Sequence, residues 1–324
     1  MNGRNLDAGL PSGIRVCREE GHKWPASANV YLFRDERGGA LFDVGCGREE
    51  SFRNLLTFLR NEGLELADIH TVVLSHAHPD HMGAMRFVEE EASPEVVISS
   101  VDRPLADDPH QLNRTFDMGM ARHYFGEEVI ESMGLGNFDI IDYFEGMCPM
   151  SGAAVHRTVE DGDLLELGGR PFRVILTPGH APGHVALWSE EDGVLMSSDL
   201  VGEITAWYSP SSGGADGFLT SLERVEMLAP RLILPAHGGP IADPAAAIRR
   251  TRRRVLAVEE RIERMLAREG QLRVSEICER MFPHPLIRFF PGIQIVVSHL
   301  DRMSWDGRVE LEGEGTGQTA RLPR

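Results

Sequence analysis

Short apolar runs alternate with polar loops along the first three quarters of the chain. Residues 71–74, 172–176 and 194–196 are rich in β-branched or other apolar side chains, and Gly, Pro or Asp residues lie in the loops that follow them. Runs of this length and composition predict buried strands. The same pattern predicts further strands at residues 13–18, 29–33, 39–44, 96–99, 164–167, 185–189 and 231–235.

Apolar residues at helical spacing predict the remaining elements. Phe52, Leu55 and Leu59 recur every three or four residues, so residues 51–62 are expected to form an amphipathic helix on the sheet. A second helix is expected at residues 82–90. After the last strand the pattern becomes helical throughout, with helices predicted at residues 244–268, 274–282 and 293–303 and a Gly-turned hairpin at residues 307–322.

Residues 102–155 are the least regular part of the chain and are rich in Met and aromatic residues. One or two helices are expected at residues 115–133. Two roles stay open for this insertion: a lid with a soft apolar lining over a site, or a plain structural unit. In either role it would give a nearby site an apolar neighbour, which favours an acyl or aromatic substrate over a small charged one.

Composition limits the classes of partner. The chain has 324 residues, which predicts one large domain and a smaller one, and its formal net charge is −17. This charge argues against general nucleic-acid binding, because phosphate contacts need clustered Lys and Arg. No apolar stretch approaches the roughly 20 residues that span a bilayer, and residues 1–20 lack the apolar core of a signal peptide. A cytoplasmic location without a membrane partner is therefore expected.

The four cysteines support the same location. Cys17, Cys46, Cys148 and Cys278 are widely separated and form no CxxC pair. In a chain of this length the spacing predicts reduced thiols, with Cys46 as a buried inert one.

Four potential metal ligands fall within six residues, directly after the predicted strand at residues 71–74. They are His76, His78, Asp80 and His81. His76 and His78 alternate along extended backbone and project to the same side, whereas the other two lie one step further on and can face a second position. A polar surface loop is the alternative. The ligand preferences of divalent cations favour a metal site.

Three later strands also lead to a single His or Asp. His180 follows residues 172–176, Asp199 follows residues 194–198, and His237 follows the strand that begins at residue 231. The order HxHxDH, His, Asp, His at this spacing resembles the metallo-β-lactamase fold superfamily of metal-dependent hydrolases. Where the family commonly has a second Gly after its first motif, this chain has Ala84, a small-for-small change.

The resemblance implies an α/β fold, in which two sheets pack between helices as an αββα sandwich. The catalytic domain would span residues 1–245, with residues 102–155 as the lid insertion. Residues 246–324, three helices closed by a hairpin, resemble a winged helix, and similar tails occur in one branch of the superfamily. This tail is expected to wall the substrate pocket or to build a homodimer.

The resemblance also implies two divalent metal ions and their ligands. His76, His78 and His180 would hold one ion, Asp80, His81 and His237 the second, and Asp199 would bridge both. Imidazoles and carboxylates without a thiolate suit zinc, with manganese or iron as alternatives. The expected nucleophile is a metal-bridging hydroxide, because zinc brings the pKa of bound water to about 7. Asp80 is the candidate catalytic residue that moves a proton toward the leaving group.

Four further residues are candidates for the surroundings of the site. At Asp43 the resemblance favours a carboxylate that orients a metal-binding imidazole, over a simple turn residue before Gly. His184 is expected to be a hydrogen-bonded structural histidine, with substrate contact as the alternative. Trp207 and Tyr208, which precede the last candidate ligand, can contact substrate or pack on the surface.

The run from Arg249 to Arg254 is the one dense basic patch in an acidic chain. It can bind phosphates, such as those of coenzyme A or of a nucleic-acid backbone. The favoured interpretation is a solvated helix face that pairs with Glu259, Glu260 and Glu263.

The functional prediction is a metal-dependent hydrolase that cleaves a thioester or related acyl bond, with a small-molecule substrate of the acyl-coenzyme A type favoured. Lactones, esters and amides remain open within the same mechanism. A phosphodiesterase or ribonuclease is an alternative that would need a basic groove around the site. The non-enzymatic alternative is a winged-helix DNA-binding regulator. Its candidate recognition helix, residues 292–302, carries one Arg and one Asp, so it has few side chains that could contact phosphates or recognise bases.

Overall fold

Two β-sheets stacked face to face form the centre of the protein in a computed structural model that describes residues 10–19 and 25–324. The first sheet contains, in spatial order, β1 (Ile14–Cys17), β2 (Val30–Asp35), β3 (Gly38–Phe42), β4 (Ile69–Val73), β5 (Glu95–Ser99) and β6 (Arg157–Val159). The second contains β7 (Leu164–Leu167), β8 (Arg170–Leu176), β9 (Val185–Ser189), β10 (Val194–Ser198) and β11 (Leu232–Pro235), in the spatial order β11-β10-β9-β8-β7. Both sheets are mixed: β3 to β6 pair in parallel, as do β10 and β11, and the other pairs are antiparallel.

Strand β2 shows why this sheet is buried on both faces. Val30 and Leu32 belong to the apolar cluster on the helix side of the sheet, whereas Tyr31 and Phe33 belong to the cluster between the two sheets. The ring of Phe33 lies 5.1 Å from that of Phe172 in β8, edge to face. Since successive side chains point to opposite faces, a continuous apolar run places an apolar surface on each side.

Helices cover the two outer faces. They are α1 (Glu49–Asn61), α2 (Pro79–Met82), α3 (Met85–Glu91), α4 (Arg103–Asp107), α5 (Leu112–Thr115), α6 (Met120–Phe125), α7 (Glu127–Ser132), α8 (Ile140–Glu145), α9 (Gly214–Met227), α10 (Pro244–Glu269), α11 (Val274–Met281), α12 (Pro285–Ile287) and α13 (Ile293–Trp305). Leu55 of α1 and Val88 of α3 pack on the first sheet, while Phe218 of α9 and Ile248 of α10 pack on the second. The predicted αββα sandwich is confirmed.

The insertion differs in detail from its prediction. The predicted stretch, residues 115–133, holds two helices, α6 and α7, and the insertion has three more short helices outside it, α4, α5 and α8. Glycines divide the stretch: Gly126, at φ +88°, ends α6, and Gly134, at φ +72°, follows the end of α7. A positive φ is a conformation that Gly adopts without steric cost, and it ends a helix.

The C-terminal region contains the predicted long helix, the two later helices and the hairpin. A side-chain oxygen of Asp243 accepts the backbone N–H of Ala246 at 3.0 Å and caps α10, as expected. The hairpin strands β13 (Glu310–Glu312) and β14 (Thr319–Arg321) gain a third partner, β12 (Leu272–Arg273). One apolar cluster runs from the insertion into these helices. The domain boundary near residue 245 and the winged-helix description stay predictions.

The prediction of four reduced thiols is wrong for one pair. Cys46 and Cys148 form a disulfide, with their Cα atoms 5.4 Å apart although 102 residues separate them in the chain. The end of the insertion packs against the loop after β3, a contact that cysteine spacing alone does not reveal. Cys17 and Cys278 are free.

Within residues 10–19 and 25–324, no helix combines the length and the apolar character that a membrane span requires. The cytoplasmic location stays a prediction.

Candidate metal centre

The candidate ligands all follow strand ends at one edge of the sandwich. The loop after β4 carries His76 and His78, and the one-turn helix α2 that follows carries Asp80 and His81. His180 follows β8, Asp199 follows β10, and His237 follows β11. Each side chain therefore projects from a loop that a buried strand holds in place, which is the rigid support that a metal site needs.

The structure brings all seven predicted ligand residues together. Three groups each have potential ligand atoms within 4.8 Å of one another: His76, His78 and His180; His76, His81 and Asp199; Asp80, His81 and His237. One oxygen of Asp199 lies 3.1 Å from His180 Nε2 and 3.5 Å from His81 Nε2, and the other lies 3.4 Å from His237 Nε2. The carboxylate of Asp199 thus lies between the groups, where a bridging ligand was predicted.

The ring nitrogens fit a metal ion. The Nε2 atoms of His76, His81 and His180 are buried and make no well-aligned hydrogen bond to any described residue, although an oxygen of Asp199 lies close to those of His81 and His180. Each ring is oriented instead through Nδ1: His180 donates to the carbonyl oxygen of Trp207 at 2.7 Å, His81 to Asp43 at 2.9 Å, and Nδ1 of His76 lies 3.0 Å from the Ser75 hydroxyl. Buried polar atoms without a partner are costly, and a cation shared by these nitrogens would compensate for that cost.

Asp43 occupies the predicted orienting position. Its side chain is buried, and its two oxygens accept the backbone N–H of Ser75 at 2.7 Å, the Ser75 hydroxyl at 2.9 Å and Nδ1–H of His81. The backbone of Asp43 has φ +61° and that of Ser198, next to Asp199, has φ +45°. Such conformations are strained for residues other than Gly and are common at functional sites.

Burial and neighbouring charges shift the pKa values of the imidazoles in opposite directions. Burial alone would lower the pKa of His81, but the carboxylates of Asp43, Asp80 and Asp199 outweigh it and hold that pKa well above its usual value. Burial and the neighbouring imidazoles, first that of His81, hold the pKa of His76 well below its usual value. In the metal-free protein His76 is therefore neutral, whereas His81 is protonated and would have to release a proton to a bound cation. The carboxylates that raise its pKa are a suitable environment for a divalent cation.

His184 is the structural histidine that was expected. It is fully buried, Nε2 accepts the backbone N–H of Asp199 at 3.2 Å, and Nδ1 donates to the hydroxyl of Thr177 at 2.7 Å. Burial lowers its pKa to about 3, so the ring stays neutral. His184 fixes the backbone that presents Asp199 and has no free nitrogen for a substrate.

Sequence reasoning missed Asp102, at the start of the insertion. Its carboxylate is buried, and its two oxygens accept the backbone N–H groups of Gly183 at 2.6 Å and Ala77 at 3.2 Å. The sequence contains no signal for this role, because an Asp before a short helix ordinarily suggests a helix cap.

Three aromatic rings from distant parts of the chain form a wall beside the cluster. Phe116 comes from the insertion, Trp207 from the loop after β10, and Phe290 from the C-terminal region. The ring of Trp207 lies 4.6 Å from that of Phe116 and 4.8 Å from that of Phe290, and the two phenyl rings lie parallel at 5.4 Å. Phe116 lies 4.8 Å from the imidazole of His78, and Trp207 lies 5.1 Å from that of His180. The centre thus has an apolar side.

Tyr208 points away from the centre. It is buried, and its hydroxyl shares a 2.6 Å hydrogen bond with Nε2 of His299 in α13. Its burial fits neither of the two alternatives that the sequence left open, contact with substrate or packing on the surface. The cluster is open to solvent at two of its ligands: the side chain of His237 is 30% exposed and that of Asp80 is 19% exposed, whereas His76 and His81 are completely buried.

The Arg run pairs differently from the prediction. Arg252 forms a 2.8 Å ion pair with Glu226 of α9, and Arg254 donates to the backbone carbonyl of Glu203 at 2.8 Å. The predicted partners within α10 are wrong for these two, because Glu259 and Glu263 pair with Arg302 and Arg308 of the C-terminal region instead. Arg252 and Arg254 contact α9 and the loop after β10. The side chain of Glu203 lies against Gly238, next to His237, so Arg254 of the run lies near the exposed ligand His237.

Comparison with known proteins agrees with this architecture. The chain is 25% identical over 303 residues to a probable metallo-hydrolase of Bacillus subtilis (strain 168), covering 88% of this chain and 90% of that protein. It is 26% identical over 253 residues to an acyl-coenzyme A thioesterase of Gallus gallus, covering 70% and 78%. A metallo-beta-lactamase family protein of Thermus thermophilus has the same fold, with a TM-score of 0.76 at 23% identity over 97% of this chain and all of that one.

The family model of the metallo-beta-lactamase superfamily matches residues 24–237, which includes every candidate ligand and both sheets apart from the first strand. Family membership and the His-rich centre together support a metal-dependent hydrolase. With two mixed sheets between helices and the ligand residues at their common edge, this chain belongs to the metallo-beta-lactamase superfamily.

Proposed function

We propose that this protein is a dinuclear metal-dependent hydrolase that cleaves thioesters of apolar acyl groups. The observation that carries the proposal is the position of the aromatic wall, directly against two of the candidate ligand imidazoles. A scissile bond at the centre would place an acyl group beside these rings, where apolar surface is removed from water.

The seven candidate ligands would hold two ions, with zinc favoured. His76, His78 and His180 would form one site and Asp80, His81 and His237 the other, with Asp199 between them, which the clustering of their ligand atoms supports. Bound ions of this kind supply a nucleophile at neutral pH by lowering the pKa of water, and they polarise the carbonyl oxygen of the substrate.

Asp80 is the residue proposed to move a proton. Its Oδ2 lies 3.3 Å from Nε2 of His237, and the partial exposure of both side chains places them on the side that a substrate can reach. Burial raises the pKa of Asp80, but the imidazoles of His81 and His237 outweigh burial and lower it. The carboxylate is therefore ionised at neutral pH, and Oδ2 can accept the proton that the attacking water loses and pass it to the leaving sulfur as the carbon–sulfur bond breaks.

The aromatic wall would select the acyl group. Trp207 and Phe290 are half-buried, so each keeps an apolar edge for a ligand, and Phe116 supports them from the insertion. Burial of apolar surface contributes about 25 cal/mol per Å². An acyl or aryl group that covers these edges would therefore bind more tightly than acetyl.

The Arg run would bind the phosphates of the carrier. Arg254 is already held at the loop near the exposed ligand His237, and Arg250 lies one helical turn before it on the same face of α10. Guanidinium groups bind phosphate through paired hydrogen bonds. The similarity to an acyl-coenzyme A thioesterase supports a carrier of this kind.

The DNA-binding alternative finds little support. Most of α13, the candidate recognition helix, is buried, including Ile293, Val296, His299 and Leu300. A helix packed in this way has no free face for the major groove. A homodimer stays a prediction.

Thiol release from a panel of acyl-coenzyme A thioesters, short, long and aromatic, tests the proposal, with metal-loaded protein and a chelator-treated sample. We expect chelator-sensitive release that increases from acetyl to longer or aromatic acyl groups. No release from any member, with bound metal confirmed by elemental analysis, would refute the thioester assignment and favour lactones, amides or phosphodiesters.

Two variants test the parts of the site. Phe290→Ala should lower kcat/KM for long or aromatic acyl groups about tenfold, with acetyl little affected. The control is Leu286→Ala, which changes an exposed apolar residue of the same segment.

Arg250→Ala should raise KM for coenzyme A thioesters but not for short thioesters without phosphates. Arg264→Ala, which pairs with Glu260 on the surface of the same helix, is its control.

A further inference from the structure

A single buried carboxylate connects the two loops that carry three of the candidate ligands. Ala77 lies between His76 and His78, and Gly183 lies three residues after His180. The backbone N–H groups of Ala77 and Gly183 both donate to the side chain of Asp102, one to each oxygen. The first loop belongs to one sheet and the second to the other, so this carboxylate joins the two halves of the sandwich.

The position of Asp102 is fixed from its own backbone. Its N–H lies 3.1 Å from the hydroxyl and 3.2 Å from the carbonyl oxygen of Ser99, and its carbonyl accepts the N–H groups of Leu105 and Ala106 at 3.0 Å. Although Asp102 stands at the N-terminal end of α4, its side chain does not cap that helix. The carboxylate is directed away from α4 and into the two ligand loops.

Gly183 has no room for a side chain, because its backbone lies directly against Ser99 and Asp102. A Cβ atom on Gly183 would lie 2.1 Å from the Ser99 hydroxyl and 2.6 Å from an oxygen of Asp102, so only Gly allows the backbone this approach. Apart from this link, the loops are joined nearby by the backbone bond from Val185 N–H to the carbonyl of Ser75, at 2.9 Å. Removal of the carboxylate would leave two buried N–H groups without a partner, in the two segments that set the spacing of the imidazoles.

We propose that Asp102 is a positioning residue that sets the distance between the His76–His78 loop and the His180 loop and so determines the metal affinity of the centre. Asp102 is not one of the clustered candidate ligands and acts through the backbone of Ala77 and Gly183. The inference rests on metal binding at the centre and is independent of the identity of the substrate. It gives the first residues of the insertion a role in the centre, whatever the remainder of the insertion does.

Asp102→Asn is the direct test. The amide keeps one acceptor oxygen but turns an NH₂ group toward the other backbone N–H, so one loop loses its link. Zinc affinity, measured by competition with a chromophoric chelator, should fall about 10- to 100-fold, as for other residues that orient metal ligands. The visible spectrum of the cobalt-loaded protein, which reports ligand geometry, should change as well. Asp108→Asn is the matched control, because Asp108 caps a turn of the same insertion at its exposed surface and its side chain accepts from His110 and Gln111 of that turn.

The affinity measurement separates positioning from stability. If Asp102→Asn lowers the Tm of the metal-free protein while zinc affinity and the cobalt spectrum match the parent protein, the proposal is wrong. Should the variant fail to fold, Ser99→Ala retains the carboxylate and removes one contact to its N–H; it should weaken zinc binding about threefold, the effect of one modest hydrogen bond. Unchanged zinc affinity in this second variant would also overturn the proposal. Because neither assay uses turnover, failure here differs from failure to hydrolyse thioesters.

Discussion

The buried carboxylate of Glu259 connects the long helix α10 to the C-terminal helix, and Glu259→Gln tests how much that connection stabilises the fold. Nδ1 of His299 lies 3.2 Å from the carboxylate, Arg302 donates to it at 2.8 Å, and Arg308 forms a close ion pair with it. The side chain of Glu259 is 2% exposed. His299 in turn holds Tyr208, so the cluster reaches the loop after β10.

Removal of this charge should be costly because its partners stay in place. Loss of one member of a buried ion pair typically costs 3–5 kcal/mol. Arg302 and Arg308 keep part of their hydration, with side chains 23% and 35% exposed. The lower end of that range, about 3 kcal/mol, is therefore expected, which for a chain of this length lowers Tm by about 4–5 °C.

Glu263→Gln is the matched control, with the same chemical change one turn later on α10. Glu263 pairs only with Arg308 among these groups, and its side chain is 39% exposed. An exposed pair contributes less than about 1 kcal/mol. Thermal and urea unfolding of the two variants should differ by at least about 2 kcal/mol. Equal losses would refute the reasoning that burial, rather than the number of ion pairs, decides the effect.

The pH dependence gives a second check on Glu259. Burial raises its pKa, but the hydrogen bonds from His299 and Arg308 outweigh burial and lower the pKa to about 2 from a usual value of 4.5. A carboxyl group whose pKa is depressed on folding stabilises the protein above its unfolded pKa, and this contribution is lost as pH falls toward the folded value. The stability difference between the parent protein and Glu259→Gln should thus be largest above about pH 5 and should narrow below it. A difference that stays constant down to about pH 3 would contradict this assignment.

Three further predictions concern the centre and its neighbours. Asp199→Ala should lose bound metal and hydrolytic activity while the far-UV circular dichroism spectrum is retained; full turnover would show that the ligand assignment is wrong. Asp43→Asn should weaken metal binding about 10- to 100-fold in a chelator competition, because it releases Nδ1–H of His81 from its charged partner, and unchanged affinity would exclude an orienting role. Tyr208→Phe should lose about 1 kcal/mol in urea unfolding through its bond to His299, with turnover within about twofold of the parent protein, and a large loss of turnover would place Tyr208 nearer the chemistry than its burial indicates.

The local part of the architecture was predictable from sequence. Apolar runs of four to six residues with β-branched side chains and flanking Gly, Pro or Asp are typical of buried strands. The 3.6-residue period of α1, α10 and α13 indicates which face each helix buries. The ligand motif was equally accessible, since alternation along extended backbone places His76 and His78 on one side. Their convergence with His180, Asp199 and His237 followed from the resemblance, and the cluster in the structure agrees with it.

Contacts between distant segments were decided by the tertiary structure alone. The disulfide of Cys46 with Cys148, the bond of Asp102 to Gly183 and the stacking of Phe116 on Phe290 each join residues that share no local pattern. The sequence specifies the periodicity of each element, because backbone geometry repeats over a few residues. Which loops then meet depends on how the whole apolar surface is buried at once, and this packing brought a carboxylate, a disulfide and an aromatic wall to the edge where the strands end.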